Sequence, residues 1–133
     1  MVDVTGKTVF LSGPMTGLPY NNLPAFVSAH ELLSGYGARR IFNPAFEWLH
    51  ELERNEPEKS HEFYMRKCIG ELAGSDWFSD IQSPSEDGEP PARYDMLVRL
   101  DGWEGSGGAV MESEVAEACG IRVVDLSDIR KDD

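Results

Sequence analysis

Short apolar runs rich in β-branched and aromatic residues alternate along the chain with stretches of helical spacing. The runs at 8–11, 38–42, 94–100 and 122–126 have the length and composition of buried strands. Between them, apolar residues recur every three to four positions, which is typical of amphipathic helices. Strand, helix and strand follow one another in both halves of the chain. This order predicts parallel βαβ units.

Capping residues and glycines mark where the predicted helices begin and end. The first helix is expected to begin after Asn22 and to end near Gly35, and a short helix follows at 46–53. A third is expected at 61–73 behind Ser60, and a fourth at 109–119. The whole chain, 1–133, is therefore predicted to form one domain of the α/β class. Its open parallel sheet would have four to five strands, with helices on both faces.

Two segments have the composition of surface structure. Residues 76–92 include the run QSPSEDGEPP and predict an inserted surface loop. Residues 127–133 form a charged tail.

The net charge narrows the possible partners. There are 24 acidic and 12 basic side chains, a formal charge of −12. This excess argues against polymeric nucleic acid and anionic membranes as partners, because both are bound through Lys and Arg. No apolar run approaches the roughly 20 residues of a membrane span. Two distant cysteines and the absence of a signal-peptide pattern predict a reduced, cytoplasmic protein. One small anion, held by backbone N–H groups, remains compatible with this charge.

Three chain segments are expected to meet at the carboxyl edge of the sheet, where open α/β sheets bind ligands. They are Ser12-Gly13-Pro14, Asn43-Pro44 and the glycine-rich loop 101–108. The loop opens a helix whose free N–H groups favour an anion, although such turns are also commonly structural.

Glu112 is the most informative residue of this region. It shares a helix face with Val115, Ala116 and Cys119, which predicts that it points inward, whereas Ser113 is expected on the solvated face. A buried carboxylate requires a partner or a function. One interpretation is a helix cap or an ion pair with an arginine. The other is a nucleophile directed at a sugar C1 atom.

Together these motifs resemble the nucleoside 2-deoxyribosyltransferase-like superfamily, and in particular an uncharacterised branch common in bacteriophage genomes. The resemblance rests on the run 12–17 (SGPMTG), on Asn43-Pro44 and on the run 102–112 (GWEGSGGAVME). It covers nearly the whole chain apart from 76–92 and the tail. It implies a flavodoxin-like fold and cleavage or transfer at the N-glycosidic bond of a deoxynucleoside or its 5′-monophosphate.

The resemblance also implies roles for individual residues. Glu112 would attack the anomeric carbon, Ser106 would contact a 5′-phosphate, and Tyr20 would contact base or sugar. The remaining expected substrate contacts are Ser12, Gly13, Pro14, Met15, Asn43, Trp103 and Gly108. No cofactor or metal is implied. Relatives tend to be dimers or larger, so a homodimer or larger assembly is expected in the cytoplasm of a bacterium or a phage-infected host.

One departure from the family pattern bears on catalysis. Relatives carry an aspartate that helps the base depart, and Cys68 stands at the matching place. A neutral thiol is a poor substitute for a carboxylate. Asp95 is a second catalytic candidate, with a structural role at a strand end as the alternative. Because of this departure, the alternative function is that of a non-catalytic protein that sequesters or senses a nucleotide.

Other candidates have simpler interpretations. His30 is expected to be a packing residue, and Cys119 a small buried apolar residue. His50 and His61 lack a third ligand at metal-binding spacing. Trp103 is equally consistent with stacking on a base and with covering the edge of the core.

Overall fold

Four parallel strands form the sheet in the computed structural model, which describes residues 2–74 and 91–129. The strands are β1 (Thr8–Ser12), β2 (Arg40–Phe42), β3 (Met96–Arg99) and β4 (Arg122–Asp125), in the order β2-β1-β3-β4. Every adjacent pair is parallel. The predicted open α/β sheet of flavodoxin-like form is therefore confirmed.

The described residues contain four α-helices, as predicted. They are α1 (Leu23–Gly35), α2 (Pro44–Glu53), α3 (His61–Ala73) and α4 (Gly107–Ala118). Short 3₁₀ turns occupy Pro19–Asn22, Trp103–Gly105 and Leu126–Asp128. The bounds of α3 match the prediction, while α2 and α4 each begin two residues earlier than expected.

Side-chain alternation along the strands gives the sheet two apolar faces. Val9 and Leu11 of β1 belong to a core cluster with Phe26 and Leu33 of α1. Phe10 points to the opposite face, where a second cluster contains residues of α3 and α4. Helices thus cover both faces, as the sequence predicted, and both Val9 and Phe10 are fully buried.

Asn43 explains why α2 begins earlier than expected. Its side-chain oxygen accepts hydrogen bonds from the backbone N–H groups of Ala45 and Phe46, at 3.1 and 3.3 Å. Pro44 then fits the first helical position, where no N–H is needed. Asn43 is buried, and its amide nitrogen also donates to the carbonyl of Phe26 at 3.3 Å, which ties α2 to α1.

Asn22 does not cap α1 with its side chain, contrary to the sequence prediction. Its φ of 62° places the backbone in the left-handed region, and its amide nitrogen donates to the carbonyl of Pro14 at 2.9 Å. Tyr20 and Asn21 are also left-handed, with φ of 53° and 52°. The loop after β1 is therefore held by a contact within itself.

The predicted insertion at 76–92 lies almost entirely outside the described residues. The described chain stops at Gly74 and resumes with residue 91. The N–H of Arg93 donates to the carbonyl of Gly74 at 3.3 Å, so the two ends of the segment lie side by side.

Replacing Asn43 with alanine should lower the free energy of unfolding by about 2 kcal/mol, because a helix cap and a buried amide bond are lost together. Ser60→Ala is the matched control, since Ser60 caps α3 from an exposed position with one bond to Phe63. It should cost about 1 kcal/mol or less. Urea unfolding of both variants tests this, and equal losses would contradict the additional role of Asn43.

Candidate active site

The candidate site lies where the order of the strands reverses. From β1 the chain first adds β2 on one side and then β3 on the other, and the helices that follow β1 and β3 cover opposite faces of the sheet. Such a switch point is where open α/β sheets bind ligands. Ser12 ends β1 there and is paired in register with Arg99 of β3.

Glu112 reaches this edge from α4. Its side chain is buried, with 7% of the residue exposed. The hydroxyl of Ser12, itself fully buried, donates to Oε1 of Glu112 at 2.6 Å. This bond joins the end of β1 to α4 across 100 positions of sequence. The inward orientation that the helical spacing predicted for Glu112 is therefore what the structure shows.

Burial shifts the ionisation of this carboxyl group. Removal from water raises the pKa of Glu112 from 4.5 to about 7, while hydrogen bonds from Ser12 and Cys68 oppose the rise. Burial and the negative charge of Glu112 raise the pKa of the Cys68 thiol to about 12. Cys68 thus remains a neutral thiol beside the carboxyl group.

The structural alternatives for Glu112 find no support in the described residues. The N-cap of α4 is Ser106, whose hydroxyl accepts from the N–H of Ala109 at 3.2 Å. Because α4 begins at Gly107, Glu112 lies in its second turn, beyond the strongest effect of the helix dipole. None of the ion pairs within 2–74 and 91–129 includes Glu112. A buried carboxyl group with a perturbed pKa is typical of a functional site.

Two glycines beside the candidate site permit close packing of the neighbouring elements. A Cβ atom on Gly13 would lie 2.8 Å from Cβ of Leu100, so the loops after β1 and β3 approach each other only because Gly13 has no side chain. On Gly108 a Cβ atom would lie 3.2 Å from the sulfur of Met65, where α4 packs against α3. Both glycines were predicted as ligand contacts, and both have a packing role.

Trp103 has a partner within the protein. The guanidinium carbon of Arg99 lies 3.7 Å from the centroid of the indole ring, and its Nε donates to Asp125 at 2.8 Å. Arg99 therefore occupies one face of Trp103. Sequence reasoning missed Arg99, although alternation along β3 places it on the same sheet face as Leu97.

The other predicted ligand contacts lie in the loop after β1, apart from Asn43, which follows β2. Pro14 and Met15 are half-buried there, and Met15 packs against the core. Tyr20 is 73% exposed. Asn43 is buried in its capping role.

Asp95 is not brought to Glu112. Its Oδ2 accepts bonds from the N–H and the hydroxyl of Thr8, both at 2.9 Å, at the amino ends of β1 and β3. Ser12 is four residues further along β1, a distance of roughly 13 Å in a strand. Asp95 therefore has the geometry of a structural residue at a strand end, which was the alternative to a catalytic role.

Three further expectations have clear outcomes. His30 is a packing residue, as predicted, with its ring centroid 4.9 Å from that of Phe46. Cys119, expected to be buried, is exposed because it follows the last turn of α4. Ser113, expected in solvent, is buried, and its hydroxyl donates to the carbonyl of Ala109 at 3.0 Å.

A separate cleft of about 320 Å³ lies on the other side of the sheet, between α1 and the ends of β3 and β4. Its lining is mainly apolar and does not include Glu112: Ala25, Ser28, Ala29, Leu32, Leu100, Asp101 and Leu126. Within residues 2–74 and 91–129, no group of three His, Cys, Asp or Glu residues is arranged to hold a metal ion. No helix in those ranges is long and apolar enough to cross a membrane.

Fold and site together define an α/β protein with a buried, hydrogen-bonded carboxyl group at the switch point of its sheet. A family model matches residues 7–79 and 90–125, and the chain belongs to that family, described as a domain of unknown function (DUF4406). The match omits 80–89, which lie within the predicted insertion. No curated protein and no solved structure matches the chain.

Glu112→Gln should make stability less dependent on pH. Because the folded-state pKa of about 7 exceeds the ordinary 4.5, the protonated form favours folding, and this contribution is lost as pH rises through 7. The variant should be more stable than the wild type at pH 8, by on the order of 3 kcal/mol, with the difference vanishing below about pH 4. Urea unfolding across this range measures the effect. Glu114→Gln, at an exposed position of α4, should leave the pH dependence unchanged.

Proposed function

We propose that this protein cleaves or transfers the N-glycosidic bond of a deoxynucleoside or deoxynucleoside 5′-monophosphate, with Glu112 as nucleophile. The observation that carries the proposal is the buried Glu112 carboxyl group, hydrogen-bonded to Ser12 at the switch point of the sheet. The resemblance of the surrounding motifs to nucleoside 2-deoxyribosyltransferase-like proteins supports the choice of substrate.

The proposed chemistry uses the ionised form of Glu112. A carboxylate oxygen attacks C1′, and the C1′–N bond breaks with its electron pair leaving on the base, which takes up a proton from solvent. Water or a second base then attacks C1′, loses a proton to solvent and releases the carboxylate. Because Glu112 ionises at a pKa of about 7, the rate should rise with pH through neutrality.

A 5′-phosphate is proposed to lie near the beginning of α4. Ser106 is half-buried there, and its oxygen accepts the capping bond from Ala109, which leaves its hydroxyl hydrogen for an acceptor on the ligand. The backbone N–H groups of the first turn favour an anion at the same place. This arrangement needs no excess of Lys or Arg and is compatible with the net charge of −12.

Binding of a nucleotide without turnover is the second candidate function. The observation that favours it is Cys68, whose thiol neighbours Glu112 and has a pKa of about 12, so it is ill suited to protonating a departing base by repeated ionisation. Assembly into a homodimer or larger oligomer, with a neighbouring chain completing the site, is a further proposal that rests on the family resemblance.

Incubation with a panel of deoxynucleosides and their 5′-monophosphates, with detection of free base, tests the enzymatic proposal. Glu112→Ala should reduce base release by at least about 1,000-fold, because the attacking atom is removed. Glu114→Ala, on the exposed side of the same helix, is the matched control and should retain full activity. Undiminished activity in Glu112→Ala would contradict the assigned nucleophile. Ligand binding without any base release would favour the second candidate.

Ser106→Asp should separate the role of Ser106 in capping from its role at the phosphate. Aspartate caps helices as well as serine does, so stability should be retained, whereas its charge repels a phosphate. Affinity for the 5′-monophosphate should fall about tenfold or more, with little change for the nucleoside, in isothermal titration calorimetry. An equal loss for both ligands would place the phosphate elsewhere.

A further inference from the structure

Ser12 has no free surface with which to contact a substrate. It is 0% exposed, and its hydroxyl is engaged with Glu112 at 2.6 Å. Its backbone carbonyl accepts from the N–H of Leu100 at 2.8 Å, which fixes the end of β1 against the chain that leaves β3. The hydroxyl is therefore carried on a buried, hydrogen-bonded part of the sheet and donates to α4.

We infer that Ser12 is a positioning residue for Glu112: its hydroxyl fixes the orientation of the carboxylate and favours the ionised form. A charge-assisted hydrogen bond of this length is short and strong, and a buried carboxylate has few other ways to be stabilised. The inference deepens the proposed function and rests on it for its catalytic consequence, whereas the effect on ionisation stands independently. It differs from the role in substrate binding that the family resemblance implied for Ser12.

The charged groups on the elements packed against Glu112 either have other partners or are exposed. On α3, Cys68 faces the carboxyl group, while Lys67 lies 3.5 Å from both Glu47 and Glu51 of α2. On β3, Arg99 is bonded to Asp125 of β4. On α4 itself, Glu114 and Glu117 are exposed. Burial, opposed by the hydroxyl of Ser12 and the thiol of Cys68, thus sets the ionisation of Glu112.

Ser12→Ala removes the stronger donor and should raise the pKa of Glu112 above that of the wild type. The side-chain carboxyl resonance of Glu112, assigned by its loss in Glu112→Gln, can be followed by carbon-13 NMR during a pH titration of the full chain. Ser113→Ala is the matched control, because it removes another buried serine hydroxyl, one bonded to a backbone carbonyl. It should leave the titration of Glu112 unchanged.

Two further variants keep the inference testable if Ser12→Ala fails to fold. Ser12→Cys retains a weaker donor and should give Glu112 a pKa between those in the wild type and in Ser12→Ala. Cys68→Ser replaces a weak donor with a stronger one of nearly the same size, and should lower the pKa of Glu112 below that of the wild type. Opposite shifts in these two variants are not expected from general loosening of the core. A titration of Glu112 that is the same in the wild type, Ser12→Cys and Cys68→Ser would overturn the inference.

The pH profile of base release tests the catalytic consequence of the hydrogen bond from Ser12. In Ser12→Ala the rising limb of kcat should move to higher pH, with about a tenfold lower rate at pH 6 and a partial recovery at pH 9. A uniform loss at every pH would contradict a role in ionisation. If no protein in the series releases base, the proposed function fails, and the NMR titration still decides the role of Ser12.

Discussion

A single hydrogen bond, from the buried hydroxyl of Ser12 to the buried carboxyl group of Glu112, connects the fold of this protein to its candidate chemistry. Its two ends belong to different βαβ units, which meet only when β3 inserts beside β1 rather than beside β2. A carboxyl group in this position is costly to bury in its ionised form. The bond offsets part of that cost without a cation, and so keeps Glu112 near its ionisation point at neutral pH.

The bond between Ser12 and Glu112 also requires close packing of the elements that carry the two residues. Gly13 lets Leu100 approach the end of β1, and Gly108 lets α4 approach α3 at Met65. A Cβ atom at position 13 would require Leu100 to shift, and one at position 108 would require the sulfur of Met65 to move by a few tenths of an ångström. Arg99, the cation on the adjacent strand β3, is hydrogen-bonded to Asp125 and stacked on Trp103. It therefore leaves the pKa of Glu112 governed by burial and by neutral donors.

Stability and proposed activity are in conflict at this site. The proposed attack on C1′ requires ionised Glu112, whereas ionisation lowers the stability of the fold, since burial favours the protonated form. Such local destabilisation is common where a protein holds a reactive group ready for use. Other polar contacts stabilise the fold away from this site. Asn43 caps a helix, and the hydrogen bonds between Asp95 and Thr8 join two strand ends.

The apolar runs and helical spacing of the sequence by themselves determined the parallel α/β architecture, the bounds of α3 and the inward orientation of Glu112. These features depend on local periodicity, because a residue's place on a helix or strand decides which face it occupies. Other features depended on long-range contacts that no local pattern contains. Only the tertiary structure decided that Asn43 caps α2 and that Asp95 lies far from Glu112. It also decided that Cys68 faces the carboxyl group and that the hydroxyl of Ser12 donates to Glu112. The physical reason is that the partner of a buried hydroxyl depends on which helix packs against its strand. The order of the strands in the sheet fixes which helix that is.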